Sequence, residues 1–400
     1  MKKIMLVGAG NIGSTIAALL DAAGDYAVTV VDASPAALVS VTPGERVQVK
    51  TLDITQPDAL RAALAGQFAV LSAAPFHLTT AIAEAAVAEK VHYLDLTEDV
   101  ASTRRVRELA ASAQSVLIPQ CGLAPGFVSI VAADLCRRFD SLHSVRMRVG
   151  ALPQFPSNAL NYNLTWSTDG VINEYCEPCE AIVEGVPRQV PALAEDEEFS
   201  LDGVTYEAFN TSGGLGTLCE TLAGRVVNLN YKTIRYPGHA AIMKALLNDL
   251  RLRDHRHVLK DILENALPAA LQDVVIVFVT VSGLRDGRLM QETYAHKVYS
   301  QLLGGTLRSA IQVTTAAGIC TALDLLASGR LPARGFIRQE DMALADFLDN
   351  RFGAVYAGGP AASPPRRADP RVAAGHTAPA HKFKDLRPLA HGGRAPTAIN

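Results

Sequence analysis

Cysteine is scarce. Six are spread through 400 residues, and only Cys176 and Cys179 lie close together. So few thiols in so long a chain build no disulfide framework, which fits a reducing compartment. An excess of either charge is also missing, since 37 Lys and Arg oppose 40 Asp and Glu. No basic surplus exists to neutralise phosphates or anionic lipid, so neither nucleic acid nor membrane is expected as a partner. Long apolar runs are lacking as well. The run Ile4 to Val7 is broken at once by Gly8 and Gly10, too short for a signal peptide, and no uninterrupted stretch reaches membrane-spanning length. A cytoplasmic protein is the expectation.

What the chain has is apolar bulk. Hydrophobic residues make up 49% and charged residues 19%, enough to bury large cores. At 400 residues the chain exceeds what one core usually organises, so two domains are predicted.

From the start to about residue 122, short β-branched runs alternate with Ala-rich amphipathic stretches. That alternation predicts a doubly wound parallel sheet, an α/β fold of the Rossmann type. From 123 to 308 the segments lengthen and alternate in polarity, and Asp202-Gly203 and Asp286-Gly287 read as hairpin turns. An α+β domain with a mainly antiparallel sheet is expected there. Residues 309–352 return to a helical pattern and are expected to pack back on the first domain. After Tyr356 the composition turns to Pro, Ala, Gly, Arg and His, and residues 357–400 are expected to form a disordered tail.

The sharpest local signal is Gly8-Ala9-Gly10-Asn11-Ile12-Gly13, which follows a predicted strand and opens a predicted helix. Gly8 permits the turn, Gly10 lets the backbone approach a pyrophosphate, and Gly13 allows close helix–strand packing. Asp32 ends the second strand about 20 residues on, where a carboxylate accepts hydrogen bonds from ribose hydroxyls. Ala33-Ser34-Pro35 follows without Lys or Arg. A 2′-phosphate would meet Asp32 and no cation, so NAD is expected rather than NADP. Asp53 after the third strand and Ala73-Ala74-Pro75 after the fourth are further candidates for cofactor contact. For Asp53 a helix cap competes.

Further along, Cys121-Gly122-Leu123-Ala124-Pro125-Gly126, Tyr162-Asn163-Leu164-Thr165-Trp166-Ser167, Glu207-Ala208-Phe209-Asn210 and Thr233-Ile234-Arg235-Tyr236-Pro237-Gly238-His239 together resemble the saccharopine dehydrogenase family. The spacing is closest to its shorter members, the lysine 6-dehydrogenases. The resemblance runs from residue 1 to about 350. It implies a homodimer whose second domain serves substrate binding and dimerisation, and NAD(P)-linked oxidation at the ε-carbon of lysine or of saccharopine, its N-glutaryl derivative. Hydrolysis of the imine then gives 2-aminoadipate 6-semialdehyde, with ammonia released from lysine or glutamate from saccharopine.

Such chemistry asks for particular residues. Hydride leaves a carbon bearing nitrogen only when the nitrogen lone pair is free, and neutralising an amine of pKa about 10.4 at pH 7 costs roughly 4.6 kcal/mol. Asp95, at the predicted end of the fifth strand, is assigned to the substrate's ammonium group, a loop or helix-capping acid being the alternative. Arg235 is the candidate clamp for an α-carboxylate, against a structural salt bridge. His239 is the candidate base or proton shuttle, against a histidine bonded to backbone. Cys121 and Gly122 are expected to bring their backbone near the nicotinamide, with the thiol merely packing. Cys176 and Cys179 have zinc-like spacing but no second pair, and no metal is expected. Trp166 reads as core more than as a stacking surface. Glu207 and Glu220 flank Ser212-Gly213-Gly214-Leu215-Gly216, a closing loop or a plain turn.

One departure bears on the substrate. The glutamate-forming saccharopine enzymes align an arginine near Asn210-Thr211-Ser212, and this chain has none, which favours lysine. A reductive condensation of an amine with a semialdehyde and a non-catalytic NAD-binding redox sensor are the competing readings.

Overall fold

In the computed structural model, residues 1–357 are described; the tail expectation for 358–400 lies outside them. Strands β1 (Lys2–Val7), β2 (Tyr26–Asp32), β3 (Val47–Thr51), β4 (Ala69–Ser72), β5 (His92–Asp95) and β6 (Val116–Ile118) pair in parallel in the order β6-β5-β4-β1-β2-β3. A two-residue strand, Gly335–Phe336, extends the sheet beyond β6. Helices cover both faces, which is why Ile4 to Val7 and Ala69 to Ser72 are buried without alternation. The strand order reverses between β1 and β4. At that point the carboxyl ends leave a crevice, bounded by the turn after Val7 and the turn after Ser72.

The second sheet is built from β7 (Ser141–Pro153), β8 (Cys179–Val183), β9 (Val186–Val190), β10 (Glu197–Leu201), β11 (Val204–Asn210), β12 (Val226–Arg235), β13 (Asp273–Arg285) and β14 (Arg288–Tyr299). Its main path runs β10-β11-β12-β7-β13-β14, with β8 joined to β12 and β9 to β8. All pairs are antiparallel except β12 with β7. Asp202-Gly203 and Asp286-Gly287 are the expected two-residue hairpin turns, with positive φ at both residues of each. Glu184-Gly185 makes a third such turn, joining β8 to β9, which the sequence reading passed over.

The long helix Ala310–Ala327 opens with a capping box, Ser309 Oγ accepting from Gln312 N while Gln312 Oε1 accepts from Ser309 N. Asp273 of β13 also accepts from Ala310 N and Ile311 N, so the second sheet holds the helix entry. The helix then packs against helix Asn11–Ala23 of the first sheet. Tyr26 Oη donates to Asp324 at 2.6 Å, and Asn350 and Arg351 close on the same carboxylate. Though interrupted by Gln312, three threonines and Asp324, Ala310–Ala327 is long and apolar enough to cross a membrane by length and composition. Of its 18 residues, 78% are buried inside the fold, the pattern of a central core helix.

Candidate functional site

A cavity of about 820 Å³, within the size range of small-molecule sites, lies between the two sheets. One wall is the switch-point crevice. Gly10, Asn11, Ile12 and Gly13 line it from the glycine turn, and Ala73, Ala74 and Pro75 from the turn after β4. The glycines behave as their spacing predicts. A Cβ on Gly13 would lie 1.9 Å from Gly8 O, and Gly8, at φ +100°, would drive a Cβ to 2.6 Å from Ala73 O. A Cβ on Gly10 would meet nothing within 4 Å, so that position faces open space where a pyrophosphate approaches. The helix Asn11–Ala23 has neither a side-chain cap nor an acid in its first turn, leaving its amides free for an anion. These features fit a dinucleotide.

Asp32 braces the glycine turn from the side. Its Oδ2 accepts from Ala9 N at 2.9 Å and its Oδ1 from Ser34 N at 2.8 Å. Each oxygen keeps a further lone pair for a ribose hydroxyl. Asp53 takes the capping alternative: its exposed carboxylate accepts from Thr55 N at 3.0 Å and Thr55 Oγ1 at 2.6 Å, in the turn that precedes helix Pro57–Leu64.

The opposite wall comes from the parallel pair β7 and β12. Alternation along β12 turns Tyr231, Thr233 and Arg235 to the cavity and Lys232 to the other face, where it joins Glu197. Helix Thr168–Cys176, capped by Ser167, adds Gly170, Asn173 and Glu174. Trp166 also lines the cavity. A Cβ on Gly170 would lie 2.3 Å from its ring, so the tryptophan is part wall and part packing.

Arg235 is 3% exposed, and among the described residues no carboxylate pairs with it. Its Nε donates to Tyr175 Oη at 3.0 Å and its Nη1 to Ile234 O at 2.9 Å, while the guanidinium lies over the Tyr162 ring at 4.9 Å. The salt-bridge alternative is thereby set aside. His239 stands behind this group rather than in the cavity. Its Nδ1 lies 2.9 Å from Leu160 O and its Nε2 3.0 Å from Tyr175 Oη. The carbonyl can only accept, so Nδ1 carries the proton and Nε2 accepts from the tyrosine. Burial, with Arg235 nearby, lowers the imidazole pKa to about 3. Neutral and enclosed, His239 is no base for a substrate in the cavity; it holds Tyr175, which holds Arg235.

Asp95 is also corrected. At 1% exposure its Oδ2 accepts from Tyr93 Oη at 2.8 Å, and its Oδ1 from Thr97 N at 3.0 Å and Gln120 N at 2.8 Å. It knots the ends of β5 and β6 together and does not line the cavity. Cys121 is buried too, its thiol against Ile118 O and facing Gln339 Nε2, and burial pushes its pKa far up. Only its neighbour Gly122 reaches the cavity. Glu207 caps helix His239–Lys244 by accepting from Gly238 N and Ala240 N, and Glu220 pairs with Arg107. The Gly-rich segment between them is packed, Gly213 against the backbone of Glu98 and Gly214 against Tyr231, so it is a turn and not a lid.

Two acids that sequence reasoning passed over do line the cavity. Glu98 follows β5, three residues beyond Asp95, and Glu174 sits on helix Thr168–Cys176. Burial raises Glu98 to about 7, with Asp99 and Asp95 adding to the rise. Burial and then Glu98 raise Glu174 to about 8, against the pull of Arg235. A helix face carrying Gly170, Asn173 and Glu174 at i, i+3 and i+4 was the available signal for the second acid. The other charges on the cavity wall are satisfied: Asp169 by Lys260 at 2.6 Å, and Arg256 by Glu177 at 2.6 Å.

Comparison with known proteins agrees with this architecture. The saccharopine dehydrogenase NADP binding domain matches residues 4–118, and the saccharopine dehydrogenase C-terminal domain matches residues 122–352. Alpha-aminoadipic semialdehyde synthase, mitochondrial, of Rattus norvegicus is 21% identical over 193 residues, 46% of this chain and 21% of that protein. Saccharopine dehydrogenase [NADP(+), L-glutamate-forming] of Saccharomyces cerevisiae is 24% identical over 177 residues, 43% of this chain and 40% of that protein. Both matches thus span well under two thirds of the relatives' lengths. The solved apo structure of the L-Glu forming saccharopine dehydrogenase from Saccharomyces cerevisiae superposes with a TM-score of 0.70 at 17% identity, covering 86% of this chain and 96% of that one. With both domain families matched in order around one glycine-turn crevice, the chain belongs to the saccharopine dehydrogenase family, and its first domain is of that family's nucleotide-binding type.

Proposed function

We propose that this protein oxidises the carbon–nitrogen bond at the ε-carbon of lysine with NAD, giving 2-aminoadipate 6-semialdehyde and ammonia. The observation that carries the reading is the set of cavity charges without protein partners: one guanidinium, Arg235, and two carboxyls, Glu98 and Glu174. Buried ionisable groups without partners are costly to charge, so a cavity lined by three of them is built for a ligand that pairs them. Lysine offers one carboxylate and two amines. Saccharopine carries three carboxylates, and among the described residues the one other cavity arginine, Arg256, is already bound to Glu177. A redox sensor would have no use for this arrangement.

A dinucleotide held along Gly10 to Gly13 and Ala73 to Pro75 would supply the hydride acceptor. The chain's own groups do the rest. Arg235 fixes the α-carboxylate in a dry wall, its plane set by Tyr175 and the Ile234 carbonyl. A raised carboxyl takes the proton that the ammonium must lose. Transfer from an amine of pKa about 10.4 to a carboxyl near 7 is uphill by about 3.4 units, against about 6 for an ordinary glutamate. Loss of hydride from the neutral amine leaves an iminium, and water then divides it into aldehyde and ammonium. The preference for NAD rests on Asp32, a carboxylate beside the glycine turn that repels a 2′-phosphate. The test is reduction of NAD and of NADP at 340 nm by purified protein with lysine and with saccharopine. Turnover with lysine and NAD is expected, and activity confined to saccharopine or to NADP would overturn the reading.

A further inference from the structure

Three unpaired charges in one cavity also carry an orientation. Arg235 on β12 and Glu174 on helix Thr168–Cys176 belong to the second domain, and they attract each other across the cavity wall. Glu98 belongs to the first. It follows β5 at the carboxyl edge of the parallel sheet, on the side where Ala73 to Pro75 and Gly122 line the crevice. Its backbone is wedged in place, Gly213 approaching so closely that a Cβ there would lie 2.8 Å from Glu98 O. Glu174 is 7% exposed and makes no ion pair among the described residues.

We propose that the cavity reads its substrate from two ends: Arg235 and Glu174 hold the α-carboxylate and α-ammonium, and Glu98 is the general base for the amine that is oxidised. This deepens the lysine reading and rests on it. A zwitterionic head group needs a cation and an anion, and among the described cavity residues the second domain supplies both in Arg235 and Glu174, with Glu98 acting on Glu174 from the first. The reacting amine must lie by the cofactor crevice, and the unpaired acid on that side is Glu98. In the step itself the ammonium gives one proton to a Glu98 oxygen, hydride passes from the ε-carbon to the cofactor, and the proton leaves to solvent when the iminium is hydrolysed. Burial, which raises the carboxyl pKa to about 7, suits it to this exchange. The charged groups about Glu98 are Asp95 and Asp99 on its own segment and Glu174 across the cavity. Arg235, Asp169, Arg256, His77 and Tyr231 complete the charged or titratable lining among the described residues.

Truncated substrates separate the roles. 6-Aminohexanoate keeps the carboxylate and reacting amine but lacks the α-amine, and 1,5-diaminopentane lacks the carboxylate. Glu174→Gln is expected to raise KM for lysine about ten- to a hundred-fold, the range for one charge-assisted contact, and KM for 6-aminohexanoate far less. Arg235→Lys should raise KM for lysine more than KM for 1,5-diaminopentane. Glu98→Gln should lower kcat for all three amines and remove the acid limb of the wild-type pH profile, while Glu98→Asp restores part of both. Melting temperature and NAD affinity of each variant, measured alongside, report folding. For variants too slow to assay, calorimetric binding of 6-aminohexanoate to the NADH complex gives the same comparison. If Glu174→Gln lowers kcat on every substrate and Glu98→Gln shifts only KM for lysine, the two acids are exchanged and the inference fails. If wild type oxidises none of the three amines, the lysine reading itself fails, a result distinct from either pattern.

Discussion

Charges at single residues decide most of the account. The folded state raises the pKa of Glu98 to about 7 and of Glu174 to about 8, so it favours their protonated forms. Their contribution to stability is therefore complete below the ordinary glutamate pKa and is lost as pH rises through 7 and 8. The melting temperature of the ligand-free protein should carry a fall from these groups between about pH 5 and 8, and Glu174→Gln should flatten that fall; a steeper fall in the variant would contradict the assignment. His239 works in the other direction. Its pKa is lowered to about 3, so its contribution is present above pH 6.5 and lost as pH drops through that interval. Asp95 makes a separate prediction. Asp95→Ala strands two buried N–H groups and the Tyr93 hydroxyl, a loss on the order of 3 kcal/mol, whereas Asp95→Asn should leave KM for the amine near wild type. A tenfold rise in KM for Asp95→Asn, with melting temperature unchanged, would return Asp95 to the site. The sequence placed Asp95 correctly at a strand end facing the crevice. What it could not convey is that Thr97 N and Gln120 N, 2 and 25 residues away, converge on that carboxylate and turn it inward. Glu98 was hidden for the same reason, since which of two nearby acids faces the cavity is set by those bonds.

At the level of elements, the glycine turn was legible because its constraints are local. Strand, turn and helix lie within 22 residues, from Lys2 to Ala23, and backbone sterics alone assign each glycine its task. The account predicts a contrast between two of them. Gly10→Ala should leave the melting temperature within a degree or two while weakening NAD binding at least tenfold, because the added methyl stands in open space where the pyrophosphate approaches. Gly13→Ala should lower both, since its methyl would overlap Gly8 O at 1.9 Å. Equal loss of stability in the two variants would contradict the division of roles. Hairpins at Asp202-Gly203 and Asp286-Gly287 were legible from turn chemistry, and Glu184-Gly185 was not, because glutamate is a poor marker for a left-handed residue. The two-residue strand Gly335–Phe336 carries no periodicity at all and exists only because β6 offers it an edge.

The whole molecule brings residues far apart in sequence onto one cavity: Gly10 to Gly13, Ala73 to Pro75, Glu98, Gly122, Glu174 and Arg235. Alternation along a strand and spacing along a helix indicate which side chains share a face. They do not indicate which faces of two sheets meet, so Arg235 was legible as a cation of the second domain while Glu174, which lines the same cavity, was not. The helix Ala310–Ala327 fastens that arrangement, entered from β13 through Asp273 and locked to β2 through Asp324. The central claim is that this cavity pairs one guanidinium and two carboxyls with a diamino monocarboxylic acid whose amine is oxidised. Its most direct test is the product balance of purified protein supplied with NAD and lysine, and separately with NAD and saccharopine. The account predicts one ammonia for each NADH formed from lysine and a far lower kcat/KM with saccharopine. Glutamate released in equal measure with NADH from saccharopine, with lysine inert, would contradict it.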